Sequence, residues 1–172
     1  HSMTTGLMII HKDTIILENY TRGLTPETTH ISWSMAKSFI SGMIGIAIEE
    51  GKIKSIQDQI TDYLPQFKGT GYEGVTIKNA LEMSSGVGFN EDYSDFNSDI
   101  NRFGRYFALG QSFEKFALSL KNTRKPGTFN HYVSIDTQVL GMVLKKATGK
   151  SITQFMQNKI WNPIGMEDDA QW

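Results

Sequence analysis

The sequence contains no cysteine, which excludes disulfides, thiolate nucleophiles and zinc–thiolate sites and leaves the redox compartment open. Charge of one sign is lacking too: 17 basic residues stand against 18 acidic ones. No basic stripe or aromatic-plus-arginine cluster points to nucleic acid, and no charge run points to an anionic membrane. Histidine is scarce, and His1, His11, His30 and His131 show no metal-ligand spacing, so neither a metal nor another cofactor is expected. No signal peptide and no membrane span is evident. A chain cut at its N-terminus would have lost a signal, so the compartment stays open. His1-Ser2-Met3 reads as the remnant of an expression tag. What is present is 172 residues with 39% hydrophobic and 11% aromatic content, enough for one good core in a globular chain.

The most informative segment is Ser34-Met35-Ala36-Lys37, followed by an apolar run from Phe39 to Ile48 that ends at Glu49-Glu50-Gly51. Residues three apart share a helix face, so the hydroxyl and the amine should meet. The run is apolar all round, which predicts a helix over 34–50 buried in a core, with Lys37 buried as well. An ammonium buried at the positive end of a helix is expected to give up its proton readily. The same helix end offers free backbone N–H groups to a developing oxyanion. The spacing alone is weak, since about one such pair is expected by chance in a chain of this composition. A second pair, Ser112-Phe113-Glu114-Lys115, reads as the polar side of an amphipathic helix.

Leu7–Ile10 and Thr14–Tyr20 flank the turn-forming His11-Lys12-Asp13 and predict a hairpin over 7–20. Everything after it, 51–172, reads as helical. Thr76 to Gly86 reads as a helix with Thr76 as N-cap and Gly86 past its end. Residues 87–102 are rich in Asp, Asn and Ser and read as an exposed loop. Helical spacing returns over 103–120, then over 136–147 and 151–161, with Pro126-Gly127 as a turn and Asn162-Pro163 as a stop. One hairpin with no further strand is an incomplete sheet. The chain is expected to be a fragment, or to take its missing strands from another chain; an unpaired edge also predicts self-association into a homo-oligomer.

Ser34-Met35-Ala36-Lys37, the segment Thr76 to Gly86, Pro126 to Ser134 with its Tyr132-Val133-Ser134, and Asn162-Pro163-Ile164-Gly165-Met166 together resemble the ordered motifs of the serine β-lactamase-like hydrolases. The likeness is strongest to the branch of class C enzymes, esterases and 6-aminohexanoate-dimer hydrolases, and runs from about residue 6 to the end. It implies an α+β, β-lactamase/DD-peptidase-like fold, here a mostly helical fragment with an N-terminal hairpin and its other strands missing. After the tag remnant at 1–3, it implies a single partial catalytic domain over 4–172. It makes Ser34 the nucleophile, Lys37 its partner and Tyr132 the proton shuttle, with Ser134 and Trp33 as substrate-binding residues. The reaction implied is hydrolysis of a small ester or linear amide through an acyl-enzyme.

The resemblance is incomplete in two places. The family's late strand motif, Lys or His followed by Ser or Thr and Gly, is absent, because Gly149-Lys150-Ser151-Ile152 lacks the glycine and sits at a helix start. That strand supplies the second oxyanion donor, and losing one donor costs on the order of 10² to 10³ in rate. The chain alone is therefore expected to be weakly active or inactive. Ser134 stands where β-lactamases carry Asn, which leans towards esters and linear amides. Other readings stay open: a β-lactamase or penicillin-binding D-Ala-D-Ala carboxypeptidase, or a non-catalytic binding or sensor module. At single residues, Ser34 and Ser134 could be helix caps, Tyr132 a core tyrosine, and His131 the base of a Ser-His-Asp triad.

Overall fold

Lys12 and Asp13 both take left-handed backbone angles, with φ of 47° and 60°, the two-residue turn whose twist matches a hairpin. It joins β1 (Gly6–His11) to β2 (Thr14–Tyr20) in antiparallel pairing. The register places Gly6 opposite Tyr20 and Ile9 opposite Leu17, then shifts so that Ile10 faces Ile15, leaving Ile16 as the extra residue of a bulge. Leu7, Met8, Ile9, Ile10, Ile15, Ile16 and Leu17 are all exposed. Because strand side chains alternate, apolar groups lie uncovered on both faces of the hairpin.

The computed structural model describes residues 3–170 and divides at Trp33/Ser34 into two units. His1 and Ser2 of the tag-like leader lie outside the described residues, as do Gln171 and Trp172. The hairpin belongs to the first unit and the helices to the second.

At the boundary a 3₁₀ turn over Trp33–Met35 leads into α1 (Ala36–Glu49), the first helix of the second unit. The helix starts two residues later than its sequence predicts and is buried on one side only. Ile40, Met43, Ile44 and Ala47 face the core, whereas Ser38, Ser41, Gly42 and Gly45 are exposed. An apolar composition made partly of glycine and alanine does not distinguish a wholly buried helix from one with a bare small-residue face.

Two short helices follow, α2 (Ile60–Tyr63) and α3 (Ile77–Leu81). Thr76 caps α3, its hydroxyl accepting the Asn79 N–H at 3.1 Å. The helix is shorter than the reading to Gly86, because Met83 turns left-handed at φ 52° and Ser84 and Ser85 are buried in the turn that follows. Residues 103–120 are not one helix. They divide into α4 (Asp99–Ala108) and α5 (Phe113–Ser119), broken at Gly110 with φ 62° and restarted by Ser112, which caps α5 through the Lys115 N–H. The second Ser-x-x-Lys pair is thus a helix start. Then come α6 (Ser134–Thr148) and α7 (Ile152–Met156), the latter continued by a π-helical turn over Gln157–Trp161. Gly149 ends α6 in a left-handed conformation and Ser151 caps α7, so Lys150-Ser151 serves as a helix junction.

Helix α6 packs against α1, α2, α3, α5 and α7. Its buried Val139, Leu140, Val143 and Leu144 meet Ile40, Met43 and Ile44 of α1 in one core with Phe67, Tyr72, Phe116 and Phe155. Phe116 is ringed by Phe89, Phe103 and Tyr106 at centroid distances of 6.3, 5.6 and 5.1 Å, edge-on or tilted as aromatic quadrupoles favour. No helix among the described residues is long and apolar enough to cross a membrane.

Candidate active site

Helices α1 and α6 pack together, and the sequence motifs lie at their N-terminal ends. The cap position of α1 is Met35, with no side-chain cap bond; Ser34 is not the helix cap. Its Oγ instead receives the Lys37 ammonium at 3.0 Å and lies 2.7 Å from the Tyr132 hydroxyl. The Lys37 Nζ also sits 5.3 Å from the centre of the Tyr132 ring, within cation–π range. Lys37 is half-buried and not enclosed as its apolar surroundings suggest, because Ser34 and Ser38 beside it are exposed.

Tyr132 is held by a segment stitched to the end of α3. The Gly127 N–H donates to the Ser84 carbonyl at 2.8 Å, Asn130 Nδ2 to the Glu82 carbonyl at 2.7 Å, and the His131 N–H to the Met83 carbonyl at 2.7 Å. Tyr132 is not a core tyrosine: it is 43% exposed. Partial burial works to raise its phenol. Hydrogen bonds from Ser34 and Lys37, the Lys37 charge and the Ser134 hydroxyl outweigh it, and hold the group below the ordinary phenol value. His131 is exposed and stacks loosely on Phe129 at 6.3 Å; the group at the serine oxygen is the neighbouring tyrosine.

Ser134 is the first residue of α6, and the cap position belongs to Val133. The Ser134 hydroxyl donates to Glu91 Oε1 at 2.5 Å and its N–H to Glu91 Oε2 at 3.1 Å. The Tyr93 hydroxyl donates to the same Oε1 at 3.0 Å. Sequence reasoning missed Glu91, which is one acid among many in the 87–102 stretch. That stretch is an exposed loop over 92–97, anchored at both ends. Val87, Phe89 and Ser98 are buried, α4 begins at Asp99, and the polar residues are spent internally, with Asp92 capping Ser94 and Asn101 holding the Tyr93 and Asp95 carbonyls.

Trp33, immediately before the serine, is 77% exposed and has a left-handed φ of 47°, a conformation that costs a bulky residue about 1–2 kcal/mol.

A second titratable group lies in the first turn of α6, two residues after Ser134. Asp136 is fully buried, and its Oδ1 accepts the Tyr72 hydroxyl at 2.8 Å. Its Oδ2 has no hydrogen-bond partner among the described residues. Burial pushes the carboxyl up to about 7 against the Ser85 and Tyr72 hydroxyls, with the Glu91 charge adding to the rise. No cluster of metal-ligating side chains is found among the described residues.

A serine at one helix N-terminus, bonded by a lysine one turn on and a tyrosine from the neighbouring helix start, sits on the helical part of an α+β, β-lactamase/DD-peptidase-like fold. The Beta-lactamase family model matches residues 3–170, and the chain belongs to that family. It is 26% identical over 175 residues to the 6-aminohexanoate-dimer hydrolase of Paenarthrobacter ureafaciens, spanning 97% of this chain and 44% of that protein. It is 27% identical over 137 residues to Penicillin-binding protein 4* of Bacillus subtilis (strain 168), spanning 78% of this chain and 29% of the relative. A Bacillus anthracis structure, provisionally described as a 6-aminohexanoate-dimer hydrolase, superposes with a TM-score of 0.83 at 22% identity, covering 95% of this chain and 45% of that one. The chain thus spans less than half the length of these relatives.

Proposed function

We propose that the protein is a serine hydrolase that acts on esters or linear amides through an acyl-enzyme, with Ser34 as nucleophile, Lys37 as its charged partner and Tyr132 as proton shuttle. The observation that carries this reading is the convergence on Ser34 Oγ of the Tyr132 hydroxyl at 2.7 Å and the Lys37 ammonium at 3.0 Å. A serine hydroxyl is a weak nucleophile until a base takes its proton. Tyr132, with its phenol lowered, is that base when ionised. Oγ then attacks the carbonyl carbon while the proton passes to Tyr132. Collapse of the tetrahedral intermediate breaks the bond to the leaving alcohol or amine, which receives that proton. Water, deprotonated by the same group, releases the acid and restores the Ser34 hydroxyl. Lys37, 3.0 Å from Ser34 Oγ and 5.3 Å from the centre of the Tyr132 ring, in its ammonium form favours the states in which either oxygen carries negative charge.

The names of the relatives support hydrolase chemistry, and the 6-aminohexanoate-dimer hydrolase supports a linear amide. On the same reading Trp33 and Ser134, next in sequence to the Ser34 and Tyr132 motifs, are proposed as substrate-binding residues. The Penicillin-binding protein 4* relative favours a second reading, a β-lactamase or penicillin-binding carboxypeptidase.

The test is intact-mass spectrometry after incubation with a fluorophosphonate. One adduct that maps to Ser34 and vanishes in Ser34→Ala is the expected result, with Tyr132→Phe slowing labelling by about 10²-fold or more. A Ser34 adduct with benzylpenicillin would favour the second reading. No adduct here or in a longer chain carrying the rest of the fold would overturn both in favour of a binding module.

A further inference from the structure

Helix α4 carries a glycine that its packing does not require. Gly104 lies in the middle of α4, where glycine weakens a helix relative to alanine, and a Cβ added there would meet no atom within 4 Å. What the absent side chain leaves open is part of a cleft of about 460 Å³ beside the 92–97 loop, lined by Tyr93, Phe96, Gly104 and Arg105 among others, a volume in the range of small-molecule sites. We propose that this cleft is a carboxylate-binding subsite, with Arg105 as its anion ligand, that takes the acid end of a linear ester or amide substrate. That the acid belongs to a substrate rests on the hydrolase reading; that the cleft takes a carboxylate does not.

Arg105 is the charge of the cleft. Its guanidinium carbon lies 4.2 Å from the centre of the Phe96 ring and its Nη1 donates to the Phe96 carbonyl at 2.6 Å, so the group is fixed by stacking and by one hydrogen bond. The rest of its planar fork is unspent, and such a fork matches a carboxylate through two parallel bonds. The acids of residues 91–99 do not fill that place. Asp92 accepts the Ser94 hydroxyl and N–H, Asp95 the Asn97 N–H, Asp99 the Arg102 guanidinium and the Asn90 N–H, and Glu91 the Ser134 and Tyr93 hydroxyls. Among the described residues Arg105 forms no ion pair. Tyr93 and Phe96 are both exposed and offer their rings to the apolar part of a bound acid. Tyr93 also joins the cleft to α6: the residue lines the cleft, and its hydroxyl bonds the Glu91 carboxylate that holds Ser134, two residues after Tyr132.

The probes are phenylacetate and its neutral isostere phenylacetamide, titrated into isotope-labelled protein and followed by the backbone amide signals in NMR. Phenylacetate is expected to shift the signals of 93–96 and 104–108 saturably, and phenylacetamide to bind about tenfold more weakly or less, the loss that goes with a charge-assisted bond. Arg105→Met should weaken phenylacetate by about tenfold and leave phenylacetamide unchanged. Gly104→Leu fills the cleft with a better helix former; it should melt no lower than the wild type and still lose phenylacetate, a loss that no damage to the fold explains. No saturable shift, equal binding of the two probes, or undiminished binding in Arg105→Met or Gly104→Leu overturns the subsite. Two fluorophosphonates of equal length, one ending in a carboxylate and one in a primary amide, read whether the occupant is substrate. The acid should label Ser34 about tenfold faster and lose that advantage in Arg105→Met. Equal rates, with phenylacetate bound as expected, reject the substrate role of the cleft. No labelling by either, here or in a longer chain carrying the rest of the fold, rejects the hydrolase and with it that role, and leaves the carboxylate site standing.

Discussion

Replacing Asp136 with asparagine should make the helical unit more stable at neutral pH and remove part of its pH dependence. Asp136 is fully buried in the first turn of α6, faced by Tyr72, Ser85 and the charge of Glu91, and its carboxyl is pushed up to about 7. In the unfolded chain the same group titrates near its ordinary value of 3.8. Between those values the folded protein binds a proton that the unfolded chain has released, so stability falls as pH rises. The contribution is fully present below about pH 4 and is lost by about pH 7. At about 1.4 kcal/mol per pKa unit the span is worth about 4 kcal/mol as an upper figure. Asparagine keeps a carbonyl to accept the Tyr72 hydroxyl, bonded at 2.8 Å in the wild type, and cannot ionise. Urea unfolding of both proteins, followed by circular dichroism at unit steps from pH 4 to pH 8, isolates the group as the difference between two curves, because every other titration is shared. The variant should match or fall slightly below wild type at pH 4 and exceed it by up to about 4 kcal/mol at pH 8. A flat difference, or a wild type that gains on the variant with rising pH, would refute the burial argument.

Other expectations concern rate and packing. Fluorophosphonate labelling of Ser34 should rise with pH through the lowered Tyr132 ionisation, and Tyr132→Phe should remove that rise; a profile identical in both proteins would dismiss Tyr132 as the base. Gly86 combines φ 75° with an added Cβ only 2.2 Å from the Arg124 carbonyl oxygen, so Gly86→Ala should cost about 2–4 kcal/mol by urea unfolding, and a neutral result would mean that the 122–124 segment yields freely. Phe116→Ala, which empties the centre of the Phe89, Phe103 and Tyr106 ring, should cost about 3–5 kcal/mol, read as a melting temperature lower by roughly 2–4 °C per kcal/mol.

Ser34 and Lys37 were legible because three-residue spacing on a helix is a local rule. Tyr132 was legible only through the resemblance of its motif, since it approaches Ser34 from 98 residues away. The partners that set the electrostatics were hidden for the same reason. Glu91 meets Ser134 across 43 residues, and Tyr72 meets Asp136 across 64. In sequence, Asp136 is indistinguishable from the exposed acids that commonly favour a helix N-terminus. The single helix read over 103–120 failed on a signal that was present: Gly110 can stop a helix and Ser112 can start one, and apolar spacing on both sides masked the break. The bare face of α1 was illegible because glycine, alanine and serine suit a close packing surface as well as an interior.

The hairpin, with apolar side chains uncovered on both faces, also has a consequence for how this protein is made. Its strands pair through a two-residue turn, so it can form within about 1–10 μs of its synthesis. The helices from residue 34 to residue 170 then take on the order of ten seconds to emerge. Throughout that interval Leu7–Ile10 and Ile15–Leu17 leave apolar side chains exposed on a growing chain, in a hairpin that by itself is marginally stable. The charges at Lys12, Asp13 and Glu18 act as gatekeepers against its association with other nascent chains. Substitutions there should reduce the yield of soluble protein while leaving the stability of whatever does fold almost untouched.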